Sequence, residues 1–226
     1  MTKWFDRVVM TVLTLAAVAI AVVLVRRELL SPAQSASPAA TPPEYRSDWR
    51  EALNASVLIG DSNAPVVIVE FMDLECPFCR KFSAITEALR QTHGEKVALA
   101  FVHYPLDGLH RFARPAAHAV ECAVQHDRFP QLVRGIYEKQ DSLGLKQWTS
   151  YARDADIRDT SQFKRCVAAG GGEARIAAGL SLVQKLKVTG TPSVMINGWL
   201  LRTPPTEVQL QSYVAAFLAG RTPFSL

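Results

Sequence analysis

Cys76-Pro77-Phe78-Cys79 places two thiols two residues apart, and that pair is the plainest source of chemistry in the chain. A sulfur attacks a disulfide only as thiolate. The start of a helix favours the thiolate through unpaired backbone N–H groups and the positive end of the helix dipole. A second thiol one turn on can then resolve a mixed disulfide formed at the first. The elements needed to hold the pair there are legible around it. Val66-Val67-Ile68-Val69-Glu70-Phe71 is apolar in five positions of six and rich in β-branched types, a short buried strand. Asp73 is expected to cap the helix that follows, with Phe82, Ile85, Ala88 and Leu89 on its apolar face. Pro77 as the first helical residue gives up only an N–H the helix cannot use. The pattern is that of a dithiol–disulfide exchange site, and a copper or zinc clasp uses the same pair of residues.

Other reactive side chains offer less. Cys122 and Cys166 lie in segments that read as helices. His118, Cys122 and His126, at i, i+4 and i+8, can share one helix face as metal ligands do, but no fourth ligand is apparent. His103 and His110 read as strand-end and loop residues. There is no Ser/His/Asp arrangement and no phosphate-binding glycine loop, so no metal or cofactor is assigned. The formal charge of +4 falls to +2 beyond residue 30, without a basic stripe of interleaved aromatics, which argues against nucleic-acid binding.

Val8 to Val25 contains no charge, Asn, Gln, Gly or Pro and is flanked by Lys3, Arg7, Arg26 and Arg27. As a helix it spans roughly 27 Å, near the hydrocarbon thickness of a bilayer. Residues 8–25 are therefore expected to be an uncleaved signal-anchor, after a short cytoplasmic segment, 1–7. Residues 26–44 are expected to be a linker, with four prolines and three serines between Ser31 and Pro43. A folded domain, 45–226, follows. Its strands are expected at Ser56–Ile59, at the opening stretch, and at Lys96–Tyr104. Helices fill about 111–187: one started by Pro115, then Phe129–Tyr137, Trp148–Ala152, one opened by Asp159 and Gln162, and Ile176–Leu186. Ser193–Ile196 and Trp199–Leu201 flank Asn197-Gly198 as a hairpin, and Glu207–Leu218 closes the chain. The fold class is α/β, a small mixed sheet with a helical block inserted between its parallel unit and its hairpin.

Four phrases in this order carry a resemblance: Ala64-Pro65-Val66-Val67-Ile68-Val69-Glu70-Phe71, Cys76-Pro77-Phe78-Cys79, Glu121-Cys122-Ala123, and Gly190-Thr191-Pro192-Ser193 followed by Ile196-Asn197-Gly198. Over about residues 45–220 the chain resembles the thioredoxin superfamily, and its inserted helices resemble the DsbA-like thiol:disulfide oxidoreductases. The resemblance implies a thioredoxin fold with a helical insert. Cys76 matches the exposed nucleophile, Cys79 the buried resolving thiol, and Pro192 a cis-proline that offers substrate a pairing edge. Glu70 matches a buried acid that takes the proton from Cys79. Pro77, Phe78 and Thr191 shape the site. It further implies a structural disulfide between Cys122 and Cys166, and hence an oxidising compartment outside the cytoplasmic membrane, the periplasmic or extracytoplasmic side.

Two residues depart from the pattern of the strongest oxidants. Phe78 stands where they commonly carry histidine and cannot donate a hydrogen bond or charge to the thiolate. Cys76 is therefore expected to be acidic but less so than the ~3.5 typical of DsbA. Thr191 before the proline is shared with isomerase and reductase relatives. Residues 45–64 are too few for the dimerisation domain such isomerases carry, and a monomer is expected. The expected activity is oxidation of cysteines in secreted or membrane proteins. The same site run in reverse, as a reductase or isomerase, is the alternative. Turnover calls for a membrane reoxidant, resembling DsbB or a vitamin-K-epoxide reductase.

Overall fold

The computed structural model describes residues 2–30 and 41–224. Two units separate, 1–40 and 41–226. The first is a helix, α1 (Thr2–Leu30), whose Thr11 and Thr14 hydroxyls bond back to the carbonyls of Arg7 and Met10. Its apolar stretch is Met10–Val22, shorter than the Val8–Val25 run. Among the described residues no single helix is long and apolar enough to cross a membrane. Arg26 to Leu30, expected as linker, belong to this helix, and residues 31–40 of that linker lie outside the described residues.

The second unit is built on a six-stranded sheet. Its elements begin with β1 (Glu44–Tyr45), α2 (Glu51–Asn54) and β2 (Ser56–Ile59). The unit β3 (Val66–Met72), α3 (Pro77–His93) and β4 (Val97–His103) follows. Then come α4 (Ala113–Val124), α5 (Phe129–Glu138), α6 (Trp148–Asp154), α7 (Thr160–Ala168) and α8 (Glu173–Leu186). The hairpin β5 (Ser193–Ile196) and β6 (Trp199–Leu201) and the helix α9 (Glu207–Leu218) end it. Strand order is β1-β6-β5-β3-β4-β2. Only β3 and β4 pair in parallel, as expected of strands joined through a helix; the other pairs are antiparallel.

Every residue of β3 and β4 is buried, which explains their near-continuous apolar sequences. Val66, Ile68 and Met72 pack with Cys79 and Phe82 of α3 and with the inserted helices. Val69 and Phe71 pack on the opposite side with Val183 and Leu186 of α8. By this alternation Glu70 faces the active-site helix rather than α8.

The insert packs α4 against α5 and α7, and α6 bridges α5 and α7. Cys122 of α4 and Cys166 of α7 are joined by a disulfide with Cα atoms 5.9 Å apart. Pro115 sits inside the first turn of α4, two residues after the helix begins, and α8 starts three residues before Ile176. Asp159 caps α7 by accepting from the Gln162 N–H. Asn197 and Gly198 both take positive φ, as a type I′ turn requires. The Asn197 side chain also bonds Val67 N–H and the Pro65 carbonyl, so the hairpin turn fixes the entry of β3. The strand β1 is two residues long, too short to leave a periodicity that sequence reading can detect.

Candidate active site

At the end of β3 the chain makes a tight turn, Asp73 to Cys76, before α3 begins at Pro77. Asp73 does not cap the helix: Cys76 occupies the N-cap position, with no side-chain cap. The Asp73 carboxylate is instead buried in the turn, where it accepts from Glu75 N–H at 2.7 Å and Leu106 N–H at 2.8 Å. It also meets His110 Nδ1 at 2.9 Å, which brings His110 to the site. Three residues separate Asp73 from the first helical residue, too many for an N-cap and right for closing the loop ahead of it.

Two other clamps hold this turn. Glu75 accepts from Phe112 N–H at 2.6 Å, and buried Gln140 donates to the carbonyls of Leu74 and Cys76 at 2.9 and 3.1 Å. Tyr137 of α5 is buried beneath, its hydroxyl 3.5 Å from the Asp73 carbonyl. Gln140, Tyr137 and Glu75 were not singled out from sequence. Their hydrogen bonds run to backbone groups, and pairing over 37 to 66 positions leaves no local pattern.

Cys76 and Cys79 are both reduced. Neither is openly exposed; Cys76 is 4% accessible and Cys79 is fully covered. The nucleophile implied by resemblance is thus shielded, and the loop before β5 does part of the covering. The Cys76 thiol reaches the Thr191 carbonyl at 3.3 Å, beside the cis Thr191–Pro192 peptide. The Thr191 hydroxyl has no hydrogen-bond partner and is free to turn toward a thiolate.

The two sulfurs differ in acidity. Cys76 is held down to about 5, chiefly by the Cys79 thiol donating to it. Burial works against this, while the Thr191 hydroxyl and the N–H groups of Cys79 and Phe78 add to it. Those two N–H groups are unpaired donors of the first turn of α3. Burial, followed by the hydrogen bond to Cys76 and the charge of Glu70, pushes Cys79 well above the ordinary thiol value. The Asp73 N–H, 3.5 Å from the Cys79 sulfur, partly opposes that rise. Phe78 projects into solvent, 62% exposed, and supplies only its backbone.

Glu70 lies on the β3 face beneath the pair, 2% exposed, with both carboxylate oxygens unpartnered. Burial, then the charge of Cys76, raises it to about 8. At neutral pH it is a carboxylic acid, able to give or take a proton.

A family model described as "Thioredoxin" matches residues 53–216. The chain belongs to the thioredoxin family. Within that fold the dithiol stands at the N-terminus of α3. A curated relative, the Na(+)/H(+) antiporter NhaA 3 of Salinispora tropica, is 31% identical over 141 residues, 62% of this chain and 21% of that protein. The chain thus spans about a fifth of the length of that antiporter. The "Probable disulfide bond formation protein D" of Bacillus cereus is 29% identical over 62% of this chain and 69% of its own length. The crystal structure of a thioredoxin-like oxidoreductase from Silicibacter pomeroyi DSS-3 superimposes with a TM-score of 0.62 at 25% identity, covering 76% of this chain and 98% of that one.

The metal reading of His118, Cys122 and His126 does not fit this arrangement. The Cys122 sulfur is committed to the disulfide, and His118 Nδ1 bonds the Gly171 carbonyl at 2.9 Å. Among the described residues no cluster of three His, Cys, Asp or Glu side chains could hold a metal ion.

The acidity of Cys76 gives a direct expectation. Alkylation of the reduced protein by iodoacetamide should be half-maximal near pH 5, reside on Cys76, and leave Cys79 unmodified across neutral pH. Since folding lowers this thiol from 9.0 to about 5, its contribution to the stability of the reduced form is full above pH 9 and lost as pH falls through 5. Half-maximal alkylation near the ordinary thiol value would contradict the assignment.

Proposed function

We propose that the chain is a membrane-anchored, extracytoplasmic enzyme that forms disulfides in substrate proteins by giving up its Cys76–Cys79 disulfide. What carries this reading is the inequality of the two sulfurs, about 5 against well above 9.0. A stabilised thiolate favours the reduced enzyme, and an enzyme that prefers to be reduced is an oxidant.

In the first step a substrate thiolate attacks the Cys76 sulfur. The Cys76–Cys79 bond breaks, a substrate–Cys76 mixed disulfide forms, and Cys79 leaves as thiolate. Cys79 is a poor leaving group because its conjugate acid is weak. Glu70, protonated near neutral pH, is the proton donor for it. In the second step another substrate thiolate attacks the substrate sulfur of the mixed disulfide. The substrate disulfide forms and Cys76 departs as the stable thiolate. The substrate has lost two electrons and the enzyme holds them, so a membrane redox partner is needed to remove them. Pro192, buried and following the Thr191 carbonyl that meets the Cys76 sulfur, presents the loop edge along which an extended substrate can lie.

The extracytoplasmic setting is supported by the Cys122–Cys166 disulfide, a bond that persists in oxidising compartments. The anchor is supported by the uncharged Val8–Val25 run and by exposed Met10, Leu13, Leu15, Val18 and Ile20 along α1. Full-length chain should remain with membranes through alkaline carbonate; its release would remove the anchor from this reading.

The activity is tested by mixing stoichiometric oxidised protein with a reduced, unfolded two-cysteine protein. Substrate should gain one disulfide per enzyme reduced, and Cys76→Ser should abolish the transfer. Glu70→Gln should slow the first step by about a hundredfold and flatten its pH dependence around pH 8. An unchanged pH profile would deny Glu70 its role, and transfer persisting in Cys76→Ser would overturn the mechanism.

A further inference from the structure

Resting on that reading, we infer that the surface around Cys76 selects polypeptides whose cysteines are flanked by a large apolar residue and by a carboxylate. Three segments converge on the turn 73–76. The start of α3 continues from it. The segment 105–112 is tied to it by Leu106 N–H and His110 on Asp73 and by Phe112 N–H on Glu75. The segment 139–147 is tied to it through Gln140 on the Cys76 carbonyl.

Each segment exposes one large apolar side chain: Phe78 at 62%, Leu109 at 74% and Leu145 at 83%. Only Tyr45 and Val208 are comparable exposed hydrophobics among the described residues 41–224. Single exposed apolar residues need no explanation, but three on segments bonded to one reactive turn mark a contact surface. The reactive sulfur on the turn that these segments share says what covers them: a polypeptide bearing a cysteine.

The charges on the same segments are mostly cationic. Asp73 is buried against Glu75 N–H, Leu106 N–H and His110, Glu75 holds Phe112 N–H and Asp107 pairs with Arg114, which leaves Asp141, 3.8 Å from Arg80, as the openly exposed anion on these segments. Lys81, Arg111 and Lys146 are exposed, with no carboxylate among the described residues within 4.0 Å. Lys81 and Arg111 lie over the rings of Phe78 and Phe112, at 5.9 and 5.6 Å, so each cation is held against the apolar surface. A carboxylate beside an apolar side chain meets both features at once.

The test uses full-length oxidised protein in neutral phosphatidylcholine vesicles and four two-cysteine peptides. Their flanking residues combine Leu or Ser with Asp or Lys. The single-turnover rate of peptide oxidation is measured and expressed per peptide thiolate, because flanking charge also shifts the peptide's own thiol. The Leu/Asp peptide should react about tenfold faster than the Ser/Asp peptide, and about threefold or more faster than the Leu/Lys peptide. The charge preference should vanish near 1 M salt, where screening acts over about 3 Å. A Lys81→Glu, Arg111→Glu, Lys146→Glu variant should prefer the Lys peptides, and Leu109→Ser with Leu145→Ser should shrink the Leu preference. Equal rates for all four peptides would overturn the selectivity while leaving disulfide transfer intact. Absence of oxidation of every peptide would overturn both.

Discussion

The hydrogen bond from the Cys79 thiol to the Cys76 sulfur leaves one proton to serve two sulfurs. It is the largest cause of the low Cys76 value and, after burial, the second cause of the high Cys79 value. That arrangement requires Cys79 to be dry and Cys76 to lie at a helix end. The strand β3, buried on both faces, delivers the first condition, because α3 packs directly over it. The turn 73–76 delivers the second.

Side-chain hydrogen bonds hold this turn. Asp73, Glu75 and Gln140 fix it from inside and from two neighbouring segments, and the cis Thr191–Pro192 loop meets Cys76 from the other side. Glu70 completes the site from beneath. A carboxyl group with no partner in a dry core is costly when ionised, and at neutral pH it remains protonated. It thereby avoids placing a full negative charge under a thiolate, and it keeps a proton within the site.

Much of this was legible in the sequence because it is local. The apolar run before Cys76, the Pro at the first helical position and the Asn197-Gly198 turn each follow from rules that act over a few residues. The burial of Glu70 follows from the resemblance and not from its residue type, since a charged strand residue can face water or core, and only the packing of α3 over that face decides it. Asp73 was misread because its residue type suits a cap, whereas its partners, Leu106 and His110, are brought to it by the fold. The resemblance to DsbA-like proteins supplied the Cys122–Cys166 pairing, which spacing alone leaves open. The near-complete covering of Cys76 also had no sequence signature, since it arises from the loop before β5.

The most direct measurement is the equilibrium of Cys76/Cys79 with reduced and oxidised glutathione. A depressed Cys76 without a histidine at Phe78 places the potential between the roughly −120 mV of DsbA and the roughly −270 mV of thioredoxin. A value in that interval, with an oxidising advantage over glutathione that shrinks as the pH falls from about 9 toward about 5 and is constant below it, fits a thiolate-stabilised oxidant. A value at or below about −270 mV would contradict the proposed direction of transfer and make the chain a reductase.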